Sequence, residues 1–424
     1  MKVYKFGGAS VKDAQSVKNV ASIVRNSNEE NLVIVISAMG KTTNLLEEIV
    51  EAYFNQKQND LSVHLKILKD NHQKIIQELF TAEESDLDWF YHLTSQLIKK
   101  LETKPSLNYD FEYDQIIGYG ELFSTTIISE YLNSVGIDNS WVDARTIIRT
   151  DEVYRDAGIS WDLTTKFTKQ LFTFTHTKIY ITQGFIGSNQ NNLTTSLGRE
   201  GSDYSAAIIG HVLGAENVTI WKDVPGVLNA DPQWYPKAKP IREMSYWEAV
   251  ELTYFGAKVI HPKTLRPLQI KEIPLVVKSF VDTSYAGTIV KKIDDEKIDS
   301  PIFILKQNQL FITISAKDFS FIVEDNLSHI FSILGQKRVK VNLMQHSALN
   351  FSLCIDQRRD QDELIEMLRE RYIVRYNSNL ELVTIRHYNA SAIEEMIKGK
   401  EIIDSQLSRK TARYVVKSTP WKFN

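Results

Sequence analysis

The sequence predicts an α/β protein in which an open, mostly parallel sheet is sandwiched by helices and followed by a smaller α+β region of ferredoxin-like type. Residues 32–36 (L-V-I-V-I) are apolar without interruption, as expected of a strand that is covered on both faces. Of the 18 glycines only Gly335 and Gly399 lie beyond Gly287. The first part of the chain is therefore expected to carry the glycine-dependent ligand loops.

Length and composition are those of an ordinary globular protein. With 424 residues, of which 43% are apolar and 24% charged, we expect two domains of unequal size. No apolar run approaches the ~20 residues of a membrane helix and no signal-peptide pattern is present, so we expect a cytoplasmic protein without a membrane partner. The net charge of −3 gives no global attraction to nucleic acid. Cys354 is the single cysteine, which excludes a cysteine-based zinc cluster, and no metal ligands are predicted.

Residues 3–10 (V-Y-K-F-G-G-A-S) form the stretch around which the chain is organised. Val3, Tyr4 and Phe6 predict a short strand, and the two glycines after it allow main-chain N–H groups to approach an anion. The helical pattern that follows points its N-terminus at the same place, and the Lys5 ammonium could reach a transferring phosphoryl group. Taken alone, a strand that ends in Gly-Gly is more often only a tight turn.

Four further stretches carry polar groups at the ends of apolar segments. Ser37 follows the strand at 32–36, and Thr42, Thr43 or Asn44 could simply cap a helix over 45–54. Glu121 lies at a helix start, where an acidic side chain usually just interacts favourably with the partial positive charge of the helix N-terminus. The loop at 194–203, after a strand over 178–182, holds an arginine between glycines and then Ser202 and Asp203. Helix capping explains those last two residues but not Arg199, whose guanidinium can bind a carboxylate through two parallel hydrogen bonds.

The fourth stretch is a strand from residue 218 that ends in Lys222 and Asp223 and is followed by a Pro-Gly turn, a plausible wall for a nucleotide. Residues 255–262 add Lys258 after a glycine, and 274–278 predict a last strand of the sheet. The charged residues 291–301 are interpreted as a linker between a domain at 1–290 and a second region at 302–424.

The second region alternates strand and helix patterns in the order β-α-β-β-α-β, which predicts a ferredoxin-like unit for effector binding or assembly. The predicted strands cover 310–315, 339–344 and 349–355, with a strand pair at 372–376 and 380–385, and the predicted helices cover 326–334, 362–371 and 390–397.

Six motifs in one order make the chain resemble the aspartate kinases. They are K-F-G-G-x-S at 5–10, S-A with T-T-N-L-L at 37–46, G-E-L-x-S-T at 120–125, G-R-x-G-S-D at 198–203, W-x-D-V-P-G-V with A-D-P at 221–232, and F-G-A-K-V-x-H-P at 255–262. The resemblance implies the amino-acid kinase fold for the first domain and an ACT-type regulatory region for the second. It also implies transfer of the γ-phosphoryl group of ATP, with Mg²⁺, to the side-chain carboxylate of L-aspartate, the first step toward lysine, threonine and methionine.

The resemblance assigns site residues by matching position. The implied catalytic residues are Lys5, Asp203 and Lys258. The implied aspartate site is Ser37, Thr43, Glu121, Arg199 and Ser202. The implied nucleotide site is Lys5, Phe6, Gly7, Gly8, Lys222, Asp223, Leu228 and Lys258. The chemistry is consistent with this, because a carboxylate with a pKa of ~3.9 is already ionised and needs no general base. What it needs is cancellation of phosphate charge, which the lysines can supply.

Several positions depart from the family pattern. Ala9 replaces a usual Thr, Glu200 a common glycine, and Leu228 and Gln233 replace the Tyr and Arg often found near the nucleotide. The second ACT unit is expected to be truncated, because only residues 400–424 follow the last predicted helix. A homodimer through the ACT region is expected, and lysine or threonine is the effector that the resemblance implies. The alternatives are another amino-acid kinase and a catalytically silent amino-acid sensor.

Overall fold

The computed structural model describes residues 1–27, 31–80, 87–257, 260–294, 298, 300–318 and 320–421. Its contacts divide the chain into two compact units. The first comprises Met1–Val227, Pro240–Val250 and Ile260–Asp294, and the second comprises Leu228–Lys239, Glu251–Val259 and Asp295–Asn424. Two short inner stretches thus belong with the C-terminal part of the chain. The predicted bounds 1–290, 291–301 and 302–424 stay a prediction.

The first unit contains an eight-stranded sheet and a small hairpin. Its strands are β1 (Lys2–Phe6), β2 (Leu32–Ile36), β3 (Ser140–Val142), β4 (Ile179–Gln183), β5 (Ile186–Ser188), β6 (Thr194–Ser196), β7 (Val218–Lys222), β8 (Glu243–Ser245), β9 (Leu275–Ser279) and β10 (Thr288–Lys291). The order in the sheet is β3-β4-β2-β1-β7-β9-β10-β8, with β5 and β6 forming the hairpin. All neighbours run parallel except β9 and β10, which confirms the predicted mostly parallel sheet.

Helices flank this sheet and follow most of its strands. They are α1 (Ala14–Asn26), α2 (Thr42–Phe54), α3 (Gln58–Leu79), α4 (Asp88–Glu102), α5 (Tyr109–Ile117), α6 (Tyr119–Ser134), α7 (Ala144–Ile147), α8 (Trp161–Leu171), α9 (Gly201–Leu213), α10 (Tyr246–Phe255) and α11 (Pro262–Ile270). The second half of α10, from Glu251, belongs to the second unit. None of those in the described parts of the chain combines the length and apolar character that a membrane span requires.

The ends of the central strands are held at one level by their register. Phe6 at the end of β1 pairs with Ile36 on one side and with Trp221 on the other. All five residues of β2 are buried, as its unbroken apolar sequence predicted. The loops that leave β1, β2 and β7 therefore emerge together at one edge of the sheet.

The local sequence determines where α1, the helix after β1, begins and how it packs against the sheet. Asp13 adopts an extended backbone, and its carboxylate accepts the N–H of Ser16 at 2.8 Å, which caps the helix. Val17, Val20 and Val24 then recur at helical spacing and are buried. Burying each such side chain contributes about 1.5–3 kcal/mol, so the apolar stripe fixes the helix against the sheet.

The helix over 45–54 begins earlier than predicted. α2 starts at Thr42, its preceding residue is Lys41, and no side chain caps it. The capping role weighed for Thr42, Thr43 or Asn44 is therefore wrong.

The second unit contains a six-stranded antiparallel sheet with helices. Its elements are β11 (Ile302–Ala316), α12 (Glu324–Gln336), β12 (Val341–His346), β13 (Asn350–Asp356), α13 (Gln361–Arg369), β14 (Tyr372–Arg386), α14 (Ala390–Ile397), β15 (Ile402–Leu407) and β16 (Thr411–Lys417). The sheet order is β12-β13-β11-β14-β16-β15. The first six elements have the predicted β-α-β-β-α-β order.

One prediction in this unit is wrong. The strand pair expected at 372–376 and 380–385 is the single long strand β14, which pairs with β11 along the length of both strands. Asn308 and Asn379 both adopt left-handed backbone, and the register shifts beside them. An irregularity in a continuous ladder thus occupies the place where the sequence suggested a turn. Residues beyond 400, for which no strand was predicted, form β15 and β16.

Candidate active site

A cavity of about 560 Å³ opens at the edge of the sheet where β1, β2 and β7 end. This is the edge at which open α/β sheets bind ligands. Most of the predicted site residues line it, namely Lys5, Gly7, Gly8, Ser37, Thr43, Glu121, Arg199, Ser202, Asp203, Lys222 and Asp223. Two of the positions that depart from the family pattern, Ala9 and Glu200, line it as well.

The end of β1 provides a cradle for an anion. A Cβ added to Gly7 would lie 3.4 Å from Lys5 Nζ, so the ammonium sits beside the Gly7 backbone. A Cβ added to Gly8 would come within 2.8 Å of the Ala38 carbonyl oxygen, so this position requires glycine. Backbone amides and one ammonium at the same place are suited to phosphate.

Asp203, in the first turn of α9, binds that ammonium. Its Oδ1 lies 2.6 Å from Lys5 Nζ, and its Oδ2 lies 3.9 Å from Lys222 Nζ. Burial works to raise the pKa of Asp203, but the Lys5 and Lys222 charges outweigh burial and hold this pKa below its usual value. The carboxylate is therefore ionised at neutral pH and orients two ammonium groups toward one point.

Glu121, near the start of α6, is a buried carboxyl with an unused oxygen. Its Oε1 accepts the N–H of Ala38 at 3.2 Å, and its Oε2 has no hydrogen-bond partner among the described residues. Burial raises the pKa of Glu121 to about 8. A buried acceptor without a partner is costly, so this carboxyl is suited to receive an ammonium group from a ligand.

The turn before α9 presents Arg199. Its side chain is exposed toward the cavity and makes no hydrogen bond or ion pair with any residue that the structure describes. The next residue, Glu200, has a left-handed backbone with φ 54°, and its carboxylate accepts the N–H of His261 at 3.0 Å. Glu200 occupies the cap position without a side-chain bond, so Ser202 and Asp203 are not capping residues, and that alternative interpretation is wrong.

Three residues of the predicted nucleotide site are not among the cavity-lining residues that the structure describes. The Phe6 ring is buried and stacks on Trp221 with 5.9 Å between ring centroids, so the side chain faces the core, and a role for Phe6 in nucleotide binding stays a prediction. Leu228 belongs to the second unit, and its role stays a prediction. Lys258 lies outside the described residues.

The sequence interpretation missed a polar cluster on one wall of the cavity. Asp114 in α5 accepts the hydroxyl of Ser196 at 2.6 Å and the backbone N–H of Arg155 at 3.0 Å. Burial raises the pKa of Asp114, although these hydrogen bonds act to lower it. Ser196, Arg155 and Tyr113 all line the cavity. The sequence offered no signal that singled out Asp114, because Glu112 and Gln115 lie in the same short segment.

Comparison with known proteins identifies a family and relatives of known activity. Residues 1–279 match the model of the amino acid kinase family. The chain is 32% identical over 364 residues to lysine-sensitive aspartokinase 3 of Escherichia coli, covering 84% of this chain and 78% of that protein. It is 30% identical over 386 residues to bifunctional aspartokinase/homoserine dehydrogenase 2 of Arabidopsis thaliana, covering 87% of this chain but only 42% of that protein.

Solved structures agree along almost the whole chain. Escherichia coli aspartokinase III in complex with lysine and aspartate superposes with a TM-score of 0.82, at 27% identity, and covers 98% of this chain and 96% of that one. The same enzyme with aspartate and ADP gives a TM-score of 0.79 at the same identity and coverage. From the family match, these relatives and the shared architecture, it follows that the chain belongs to the amino acid kinase family and is a homologue of the aspartokinases.

Proposed function

We propose that the chain transfers the γ-phosphoryl group of ATP to the side-chain carboxylate of L-aspartate, giving 4-phospho-L-aspartate, the first step toward lysine, threonine and methionine. The observation that carries the proposal is the cluster of Lys5, Asp203 and Lys222 beside two glycines, in the same cavity as Glu121 and Arg199. The related Escherichia coli enzyme, solved with aspartate and ADP, supports the choice of substrates.

The lysines carry the phosphoryl chemistry in this proposal. One oxygen of the aspartate side chain forms a bond to the γ-phosphorus, the bond from that phosphorus to the bridging oxygen breaks, and ADP leaves with the electron pair. The acceptor arrives ionised, so no residue has to remove a proton. Lys5 and Lys222 offset the negative charge that the nucleophile meets, and Asp203 keeps Lys5 oriented. Lys258 is proposed as a further cation on sequence grounds alone.

Other residues of the cavity lining suit the backbone groups of an amino acid. Glu121 is proposed to receive the α-ammonium, because its Oε2 is buried and lacks a partner among the described residues. Arg199 is proposed to bind the α-carboxylate, since its fork is exposed toward the cavity and can accept a carboxylate through two parallel hydrogen bonds. Ser37, Thr43 and Ser202 complete the proposed aspartate site.

A divalent metal that accompanies ATP is also part of the proposal. Mg²⁺ in nucleotide sites takes one or two carboxylates and otherwise phosphate oxygens and water. Within the described part of the chain no group of three or more His, Cys, Asp or Glu side chains could hold a metal. Asp203 and Asp223 both line the cavity and would hold a metal that arrives with the nucleotide, and this metal would neutralise phosphate charge.

Assembly and regulation are proposed for the second unit. Large apolar side chains there are exposed, among them Phe321, Phe331 and Met344, and they support a homodimer through the ACT region. Lysine is the favoured effector because the Escherichia coli relative was solved with it, and threonine is the alternative. A cytoplasmic location, expected from the sequence, is part of the proposal. Light scattering with and without each amino acid would test the assembly.

ADP formation on a panel of acceptors tests the reaction. With ATP and Mg²⁺, L-aspartate should support turnover, whereas L-glutamate, acetylglutamate and UMP should not. ADP formation on one of the other acceptors would identify a different amino-acid kinase. Binding of aspartate without any ADP formation would identify a silent sensor and refute the proposal.

A further inference from the structure

Arg155 is a cationic side chain at the cavity to which the proposed reaction assigns no role. It lines the cavity that contains Lys5 and Arg199, and it also lines a neighbouring cavity that contains Glu47 and Glu51. Its side chain is 46% exposed, so it lies at the mouth rather than in the core.

Neighbouring groups that the structure describes hold the Arg155 guanidinium in place but bond to only one of its N–H groups. The guanidinium lies 4.4 Å from the centroid of the Tyr113 ring, close enough for a cation–π contact. Its Nη1 lies 3.2 Å from Oδ1 of Asp110. An arginine has five N–H donors, and this is the single side-chain hydrogen bond that Arg155 makes with the described residues. The remaining donors are available to a ligand.

The backbone places Arg155 next to the turn that carries Arg199. A Cβ added to Gly198 would lie 3.1 Å from the Arg155 carbonyl oxygen, and the Ala157 N–H donates to the Ser196 carbonyl at 3.0 Å. The Arg155 N–H is fixed by Asp114 at 3.0 Å. The two arginines therefore enter one cavity from adjoining loops.

Arg155 also has an unfavourable backbone. Its φ is 67°, in the left-handed region that glycine adopts at no steric cost. Strain of this kind persists where surrounding contacts enforce it, often beside ligand sites. A glycine at this position would relieve the strain, so loss of the side chain and loss of the fold can be separated.

We propose that Arg155 is a second arginine for the α-carboxylate of the acceptor amino acid, which it shares with Arg199. The inference rests on the proposed function and deepens it. Aspartate brings two carboxylates, and the one that reacts has to stay beside Lys5. Glu200 places a negative charge next to Arg199 in the same cavity, and Arg155 adds a second positive charge to the lining. Together the arginines select an acceptor that carries a carboxylate at the α-position.

The test compares Arg155→Gly with Arg338→Gly in the full chain. Arg338 has an equally left-handed backbone, with φ 50°, and does not line the cavity. Arg155→Gly should raise the KM for aspartate about threefold to fivefold, as expected for loss of one exposed charge-assisted contact, and leave kcat and the KM for ATP within about 1.5-fold. Arg338→Gly should leave the KM for aspartate at the wild-type value.

A competitor that lacks the α-carboxylate identifies the group that is bound. The inhibition constant of L-aspartate α-amide should be the same for the wild type and for Arg155→Gly. An unchanged KM for aspartate, or equal weakening of aspartate and its α-amide, overturns the assignment of Arg155 while wild-type turnover leaves the proposed function intact. No aspartate-dependent ADP formation by the wild type overturns both. If Arg155→Gly does not fold, Arg155→Asn, which also tolerates a left-handed backbone, gives the same readout.

Discussion

At the scale of single residues, the buried pair of Lys5 and Asp203 shows why charge is kept inside an apolar sheet. Both side chains are at most 10% exposed, and removing two ions from water costs about as much as their attraction returns. Stability is therefore a weak reason for the pair. Catalysis is a stronger one, because an ammonium that is already dehydrated and oriented can act on phosphate without reorganisation.

Replacing Lys5 by Met should reduce turnover by about 10²–10³-fold or more, since one fixed cation is lost from the transferring group. Aspartate binding, measured by calorimetry, should change little because Lys5 contacts the phosphate side in the proposed reaction. Lys18→Met is the matched control. Lys18 donates to the Glu78 carbonyl at 3.2 Å on the surface, and this variant should keep wild-type turnover. Near-normal ADP formation by Lys5→Met would refute the assigned role.

Glu121 should release a proton when aspartate binds. Its pKa of about 8 leaves it mostly protonated at neutral pH, and the incoming α-ammonium favours the ionised form. Affinity for aspartate should therefore rise as the pH increases from about 6 toward about 8. Calorimetry in two buffers with different ionisation enthalpies measures the released proton. Glu121→Gln should abolish the buffer dependence, and an unchanged buffer dependence would assign the proton to another group.

The sequence predicted the charged residues of the cavity but not all of its wall. Lys5, Asp203 and Arg199 belong to glycine-containing motifs, whose spacing is visible in one dimension. Arg155 has no such signal, because its role depends on a left-handed backbone and on Tyr113, 42 positions earlier in the chain. Phe6 was predicted from its motif neighbours, whereas its ring is buried because β1 is covered on both faces.

At the scale of elements, the start of α9 brings several groups into the cavity. The helix begins at Gly201, so Ser202 and Asp203 lie in its first turn with the N-terminal partial positive charge. A Cβ added to Gly184 would lie 2.5 Å from the Ser202 Cβ, so the segment after β4 approaches the helix closely. At this closely packed helix start, Glu200 adopts an unfavourable left-handed backbone conformation.

Two substitutions at Glu200 isolate that backbone strain. Both Glu200→Gly and Glu200→Ala remove the bond to the His261 N–H, but only glycine suits a φ of 54°. The free energy of unfolding should therefore be about 1 kcal/mol higher for the glycine variant than for the alanine variant. Urea unfolding measures the difference. Equal stability of the two variants would mean that the turn relaxes to another conformation.

Element boundaries were predicted less well than element types. The helix at 390–397 was predicted to the residue, and Asn389 caps it by accepting the Ala392 N–H at 2.8 Å. β14 was predicted as two strands because N-S-N at 377–379 is typical of a turn. Pairing with β11 on both sides of the irregularity overrides that local preference, and such tertiary pairing cannot be read from the local sequence.

At the scale of the whole molecule, the chain enters the second unit more than once. Residues 228–239 belong there, although they directly follow the strand and turn that carry Lys222 and Asp223. Within that unit the Asn229 carbonyl accepts the Phe303 N–H at 2.7 Å, and the Tyr235 hydroxyl donates to Glu395 at 3.0 Å. The charged composition of 291–301 marked a boundary in the sequence, but no local signal marked this earlier crossing.

Hydrogen exchange of the full chain should reveal that crossing. Amides of 228–239 should open together with β14 and β16, whose side chains share a core with Tyr235 and Phe303, rather than with β1 and β2.

Phe303→Ala removes a ring that is 5% exposed and should destabilise this core by about 3–5 kcal/mol. It should therefore speed exchange in 228–239, β14 and β16 alike while β1 and β2 keep their protection. Val33→Ala, a buried residue of β2, is the reciprocal control and should speed exchange in the first sheet instead. If 228–239 followed β1 and β2 in both variants, its assignment to the second unit would be wrong, because residues of one cooperative core lose protection together.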